Sequence, residues 1–252
     1  MKEDLKLAIL IDAENISYQY IDIIMNEANT YGNIVYKRIY GNWTLSKMDT
    51  WKDVILDYAI HPIQQYSNTS GKNASDSCLI IDTMDLLYTT DIDGYCIISS
   101  DSDFTRLASR LRESNKFVLG MGESKTPRSF ISACNKFLYL DVIYKEQNKK
   151  PSKTKAKTNK IVTEIDNTTS GMSYETIVNA LVKIAEEKSS DEGWISSGLL
   201  GNYLLKQFPD FDARNFGHKK LVPFIRATGL FDYYEETIDE NKNVKHSYFK
   251  IK

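Results

Sequence analysis

The sequence predicts an α/β protein whose main domain carries a mostly parallel sheet, followed by a small α+β domain. Three observations predict it. Short apolar or β-branched runs alternate with segments of helical spacing along the first 144 residues. A lysine-rich stretch with almost nothing to bury follows. Beyond it the pattern changes to three helices and a hairpin.

The strand-length runs are LAILID (7–12), NIVYKRIY (33–40), AIHPIQQY (59–66), YCIISS (95–100), KFVLGM (116–121) and KFLYLD (136–141). Between them, Ile21, Ile24, Met25 and Ala28 share one helical face, as do Leu107, Ala108 and Leu111. Strands joined by crossover helices run parallel and are covered on both faces. Such sheets bind ligands beyond the carboxyl ends of their strands. Those ends are acidic here. The first run closes on Asp12, with Asn15 just after it, and the fourth runs into Asp101 and Asp103. Asp76 opens a helical segment, GKNASDSCLIIDTMDLLY.

Carboxylates gathered on one rim repel one another, and a cation among them offsets that cost. All the donors are oxygen, with no His or Cys nearby in sequence, which favours Mg²⁺ or Mn²⁺ over zinc. Other roles fit the same residues. Asp101 or Asp103 can cap the helix that follows, Asp103 being the natural N-cap; Asp12 can make an Asx turn; Ser75 can cap the helix of Asp76. Asp82 is a reserve ligand further along that helix, and Glu14 and Asp22 read as solvated.

Competing chemistries lack their signatures. GMGESK misses the third glycine of a dinucleotide loop, and SGKN misses the first glycine and the hydroxyl of a phosphate loop. His61, His218 and His246 stand in no nucleophile motif. Cys78, Cys96 and Cys134 form no CxxC and read as buried thiols. Apolar runs stay too short for a membrane span, and the opening residues suit no signal peptide, so a cytoplasmic location is expected.

Net charge is −2, unevenly spread. Residues 145–170 hold 7 basic and 3 acidic side chains and read as a flexible linker, or as a strap for phosphates, between domains at 1–144 and 171–252. Past it, Ile177, Leu181, Ile184 and Ala185 lie at helical spacing, SSGLLGNYLLKQF and HKKLVPFIRAT give two further helices, and FDYYEETIDENKNVKHSYFKIK reads as a hairpin. Three helices and a hairpin suggest a winged helix. Pro223 must lie in the first turn of its helix or kink it. Trp194 and Phe231 read as core residues.

LIDAENI, GKNASD, SSDSDFTRLASRLRE and VLGMGESKTPRSFISACNKFLYL, in that order, resemble the NYN domain of the LabA-like, limkain-type group, a branch of the PIN-like nucleases, over about residues 5–142. The resemblance implies a three-layer α/β/α fold and a divalent-metal-dependent ribonuclease site at Asp12, Asp76, Asp101 and Asp103, helped by Asn15. It also places Thr126, in KTP, beside that site; Lys72, Lys125 and Arg128 near the rim are candidates for flanking phosphates. GWISSGLLGNYLLKQFPDFDARNFGHKKLVPFIRATGLFDYY is similar to the OST-HTH, or LOTUS, domain, which implies an RNA or protein partner. Arg214, His218, Lys219 and Lys220 are its RNA-facing candidates on charge. The implied function is a metal-dependent endoribonuclease; a noncatalytic RNA-binding adaptor and a DNA-directed nuclease are the alternatives.

Overall fold

The computed structural model describes residues 4–66, 74–148, 173–239 and 244–252. Lys72 and most of 145–170 lie outside them. The chain divides into two compact units, Met1–Lys157 and Thr158–Lys252.

The first unit is built on six parallel strands. In chain order it comprises β1 (Leu5–Asp12), α1 (Ile21–Asn29), β2 (Gly32–Gly41), α2 (Lys52–Asp57), β3 (His61–Gln64), α3 (Ala74–Thr89), β4 (Gly94–Ile98), α4 (Thr105–Glu113), β5 (Phe117–Gly122), α5 (Arg128–Ala133), β6 (Lys136–Tyr139) and α6 (Leu140–Gln147). Each of the six expected runs overlaps a strand. Helix α6 begins where the sixth run was expected to continue and ends three residues past the expected boundary at 144.

Strand β1 shows why the sheet is covered twice. Its side chains alternate between faces, so Leu7, Ile9 and Ile11 join Ile24, Ala28, Leu140 and Ile143 in one core, while Ala8 and Leu10 join Leu79, Leu86, Leu107 and Phe130 in another. Both sets are buried, which explains a continuous apolar run rather than an alternating one. The result is a three-layer α/β/α unit with the PIN-like arrangement.

Sheet order is β3-β2-β1-β4-β5-β6. From β1 the chain winds outward through β2 and β3, then crosses to the other side of β1 to lay down β4. The order therefore reverses between β1 and β4, and loops leaving those two carboxyl ends diverge to opposite faces. That divergence opens a crevice at the switch point.

The second unit holds α7 (Tyr174–Lys188), β7 (Ile195–Ser196), α8 (Ser197–Gln207), α9 (Leu221–Ala227), β8 (Phe231–Asp239) and β9 (Val244–Ile251). Its three antiparallel strands run in the order β7-β9-β8. Ile177, Leu181, Leu200, Leu204, Phe224 and Phe249 form its core, and Pro223 sits in the first turn of α9. Strand β7, two residues long, has no pattern to read in sequence.

Phe231 is in that core, but Trp194 is not. Its ring meets Tyr234 edge-on at 4.6 Å, and Lys250 Nζ lies 5.9 Å from its centroid. Tyr234 and Lys250 occupy the strand face opposite Phe231 and Phe249, so Trp194 staples the outer side of the sheet. Cys78, Cys96 and Cys134 are all free thiols; Cys96 and Cys134 are buried as expected, which pushes both up to about 12, whereas Cys78 is only half-buried. No helix among the described residues is long and apolar enough to cross a membrane.

Candidate metal centre

The switch point gathers the acids. Ile11 pairs with Ile98 across β1 and β4, so the next residues, Asp12 and Ser99, leave the sheet side by side. The Ser99 hydroxyl donates to Asp12 Oδ2 at 2.7 Å and accepts the Asp101 N–H at 3.1 Å. One buried serine thus fixes both strand ends. Asp101 then caps the 3-10 turn Ser102–Phe104, accepting the Asp103 N–H at 2.9 Å. The cap is Asp101 rather than the expected Asp103, because the chain enters a short 3-10 turn before α4 begins.

Asp76 comes from the first turn of α3. Ser75 lies inside that helix, which starts at Ala74, and so is not its cap. One carboxylate oxygen from each of Asp76, Asp101 and Asp103 can be chosen so that all three lie within 4.8 Å of one another. Asp76 is buried, Asp101 half-buried and Asp103 exposed. Burial, reinforced by the charges of Asp12, Asp101, Asp103 and Glu14, pushes Asp76 up to about 7. Three carboxylate oxygens this close, one of them on an exposed side chain, could hold a hard cation.

Asp12 stands just outside that triple. Its Oδ1 accepts the Glu14 N–H at 3.2 Å, and its Oδ2 accepts Asn15 Nδ2 at 2.7 Å in addition to Ser99. Burial raises its pKa and these donors pull it back. It is held in place by protein donors and acts on Asp76 through space. Asn15 thereby orients the Asp12 carboxylate. Ser99 was missed: a serine at a strand end carries no distinctive pattern.

Replacing Ser99 by Ala should remove one charge-assisted bond from a buried carboxylate and cost about 1.5–3 kcal/mol. Urea unfolding in chelator measures it. A change below a few tenths would mean that Asp12 is held by Asn15 and Glu14 alone.

Asp82 is not available to the centre. It is bound by the Arg38 guanidinium and the Tyr40 hydroxyl on β2, one turn and a half along α3 from Asp76. Glu14 is paired with Lys47 at 3.2 Å, and Asp22 accepts the Tyr58 hydroxyl, so neither is merely solvated.

The loop after β5 borders the same crevice. Ser100 Oγ accepts the Glu123 N–H at 2.9 Å, stitching this loop to the end of β4. Thr126 is buried and closes the loop, its hydroxyl donating to the Glu123 carbonyl at 2.6 Å. Gly122 makes this possible: a Cβ there would lie 2.5 Å from the Ser99 carbonyl oxygen and 2.7 Å from Thr126 Oγ1. Pro127 is the N-cap of α5. Lys125 is paired with Glu123 at 2.8 Å, and exposed Arg128 opens α5.

In the second unit, Arg214 forms a two-point pair with Asp212, at 3.1 and 2.8 Å, which spends the guanidinium within its own turn. His218 packs edge-on against Phe224 at 5.6 Å. Lys219 and Lys220 are exposed, with Lys220 at the start of α9.

Comparison with known proteins follows the same division. The NYN domain family model matches residues 6–141, and the OST-HTH/LOTUS domain model matches residues 174–240. Among solved structures, one similar chain is a protein of unknown function from Vibrio parahaemolyticus RIMD 2210633. It is 19% identical, with a TM-score of 0.46 over 54% of this chain and 93% of that one. No curated protein matches the sequence.

Proposed function

This chain belongs to the NYN domain family, with an OST-HTH/LOTUS domain following, and from that premise we propose that it is a divalent-metal-dependent endoribonuclease. One observation carries the reading: the Asp76, Asp101 and Asp103 oxygens converge at the β1/β4 switch point, where burial and mutual repulsion hold Asp76 near 7. A protein that only needed helix caps there would use one carboxylate.

Asp76, Asp101 and Asp103 would hold Mg²⁺ or Mn²⁺. When bound, the ion supplies Lewis acidity toward the scissile phosphate and lowers the pKa of water. Asp12, fixed by Ser99, Asn15 and the Glu14 N–H, keeps negative charge behind the triple and so favours a cation in front of it. Arg128 and Lys125 would meet phosphates flanking the cut. Lys125 must first release Glu123, a pair whose lysine is exposed and whose glutamate is half-buried.

The proposed division of labour is a nuclease domain at 1–144, a lysine-rich linker at 145–170 that adds nonspecific phosphate affinity, and a winged-helix domain at 171–252 that recruits RNA or a protein partner. Lys219 and Lys220 are the better RNA contacts there, since Arg214 is already paired. A cytoplasmic setting accords with three free thiols.

Incubation of the full chain with labelled single-stranded RNA tests the proposal. Cleavage that needs Mn²⁺ or Mg²⁺ and stops in chelator is expected. Binding without cleavage across varied sequences replaces the enzyme with an adaptor; preference for deoxy strands makes it a DNA nuclease.

A further inference from the structure

The crevice has two chemically different banks. On the β5 side lie the cations Lys125 and Arg128. On the other side, among the described residues, the segments leaving β1, β2 and β3 carry the exposed or half-exposed apolar side chains Tyr18, Trp43, Leu45 and Tyr66, and Lys47 there is paired with Glu14 as Lys125 is with Glu123.

Those loops are sewn to one another beside the acids. The Ala13 N–H donates to the Tyr40 carbonyl at 3.1 Å, extending the pairing of β1 and β2 past Asp12. Lys47 pairs with Glu14, and the Gln65 N–H donates to the Gly41 carbonyl at 3.2 Å. At this junction the Trp43 indole N–H donates to the Ile63 carbonyl at 3.0 Å, and its backbone N–H donates to Gln64 Oε1 at 2.9 Å. The ring is therefore fixed in place while remaining half-exposed. Leu45 is 39% exposed and Tyr66 64% exposed, and each lies within three residues of a group bonded at this junction, Leu45 of Asn42 and Trp43 and Tyr66 of Ile63 and Gln64.

Asn42 adds a directional group. It is 8% exposed, and its Oδ1 accepts three donors: Gln64 Nε2 at 3.0 Å, the Thr44 hydroxyl at 2.7 Å and the Thr44 N–H at 3.3 Å. Those bonds fix which end of the amide is oxygen. The Nδ2 end has no partner among the described residues.

We propose that Asn42, Trp43, Leu45 and Tyr66 form a base-binding subsite beside the acidic centre, taking an unpaired nucleobase of the substrate strand. The inference rests on the nuclease reading and extends it to a directional placement: bases on the β2–β3 bank, phosphates on the β5 bank. Aromatic and apolar side chains hold a base by stacking, and a lone amide donor meets a base carbonyl or ring nitrogen. A base within a duplex offers no free face, so the subsite selects single strands.

The test reads Trp43 directly. In the full chain carrying Trp194→Phe, emission comes from Trp43 and from Trp51, which is 2% exposed and shielded from ligand. In chelator, a labelled 12-mer of single-stranded RNA should quench it, whereas an abasic 12-mer and a 12-bp duplex should not. Joint Leu45→Ala, Tyr66→Ala substitution at these exposed positions should weaken the quenching-derived affinity at least about fivefold with the urea midpoint unchanged. Emission that stays constant while anisotropy shows bound RNA, equal quenching by the abasic strand, or no RNA binding at all overturns the subsite. Failure of the nuclease reading looks different: quenching persists, but Mn²⁺ produces no cleavage.

Discussion

Joint replacement of Asp101 and Asp103 by Asn is expected to abolish RNA cleavage, by at least about 10³-fold, while leaving the chelated protein more stable than the parent. The two effects have one cause. Both side chains contribute oxygens to the triple, and both raise Asp76 by repulsion. Asparagine keeps their shape and cap function, since Asn is as good an N-cap as Asp and its Oδ1 can still accept the Asp103-position N–H. It removes the negative charge that a divalent ion requires. A purely structural cluster would behave otherwise: with stability supplied by the acids, the variant would melt lower. RNA binding measured in chelator should persist or tighten, because two charges facing the phosphates are gone. Parental cleavage rates in the variant would place the activity elsewhere or in a contaminant; a lower melting temperature would show the acids to be already neutralised within the protein.

The acids were legible because strand ends are legible. Six runs of strand length, each alternating with helical spacing, place Asp12 and Asp101 at carboxyl ends without any structure. What periodicity does not contain is the order of the strands. Asp12 and Ser99 become neighbours only because β4 inserts beside β1, and nothing local in IISSDSD marks Ser99 as the residue that joins them. Charge was legible only as a count. Arg214 and Lys125 read as available cations, yet each is bound by an acid two residues before it, Asp212 and Glu123, because the chain turns tightly enough there to fold the pair together. Asp82 shows the limit of helical arithmetic. Its position well round α3 from Asp76 was predictable, but its partners, Arg38 and Tyr40, come from a different strand. Trp194 was misplaced for a related reason: a large aromatic before a strand too short to show a period cannot be assigned to a face.

In chelator, stability should fall as pH rises from about 4 to about 7, and Mn²⁺ should counter that fall most strongly at the upper end. The ordinary carboxyl value for Asp76 is 3.8, and in the folded chain it stands at about 7. Between those values the native state holds a proton that the unfolded chain has released. Raising pH across this window therefore favours unfolding, with the penalty complete above the folded value. Burial moves Asp12 in the same direction and adds to the slope. A cation must displace the Asp76 proton, so its affinity increases through the same interval, and the stabilisation that it confers grows with that affinity. Urea midpoints at pH 5, 6, 7 and 8, with chelator and with Mn²⁺, measure both slopes, and Asp76→Asn should flatten the first and reduce the separation between them. A parent slope that rises with pH in chelator would require a positive charge among these carboxylates. An unchanged separation in Asp76→Asn would mean that the ion is held without Asp76, and the buried member of the triple would then be a spectator to metal binding.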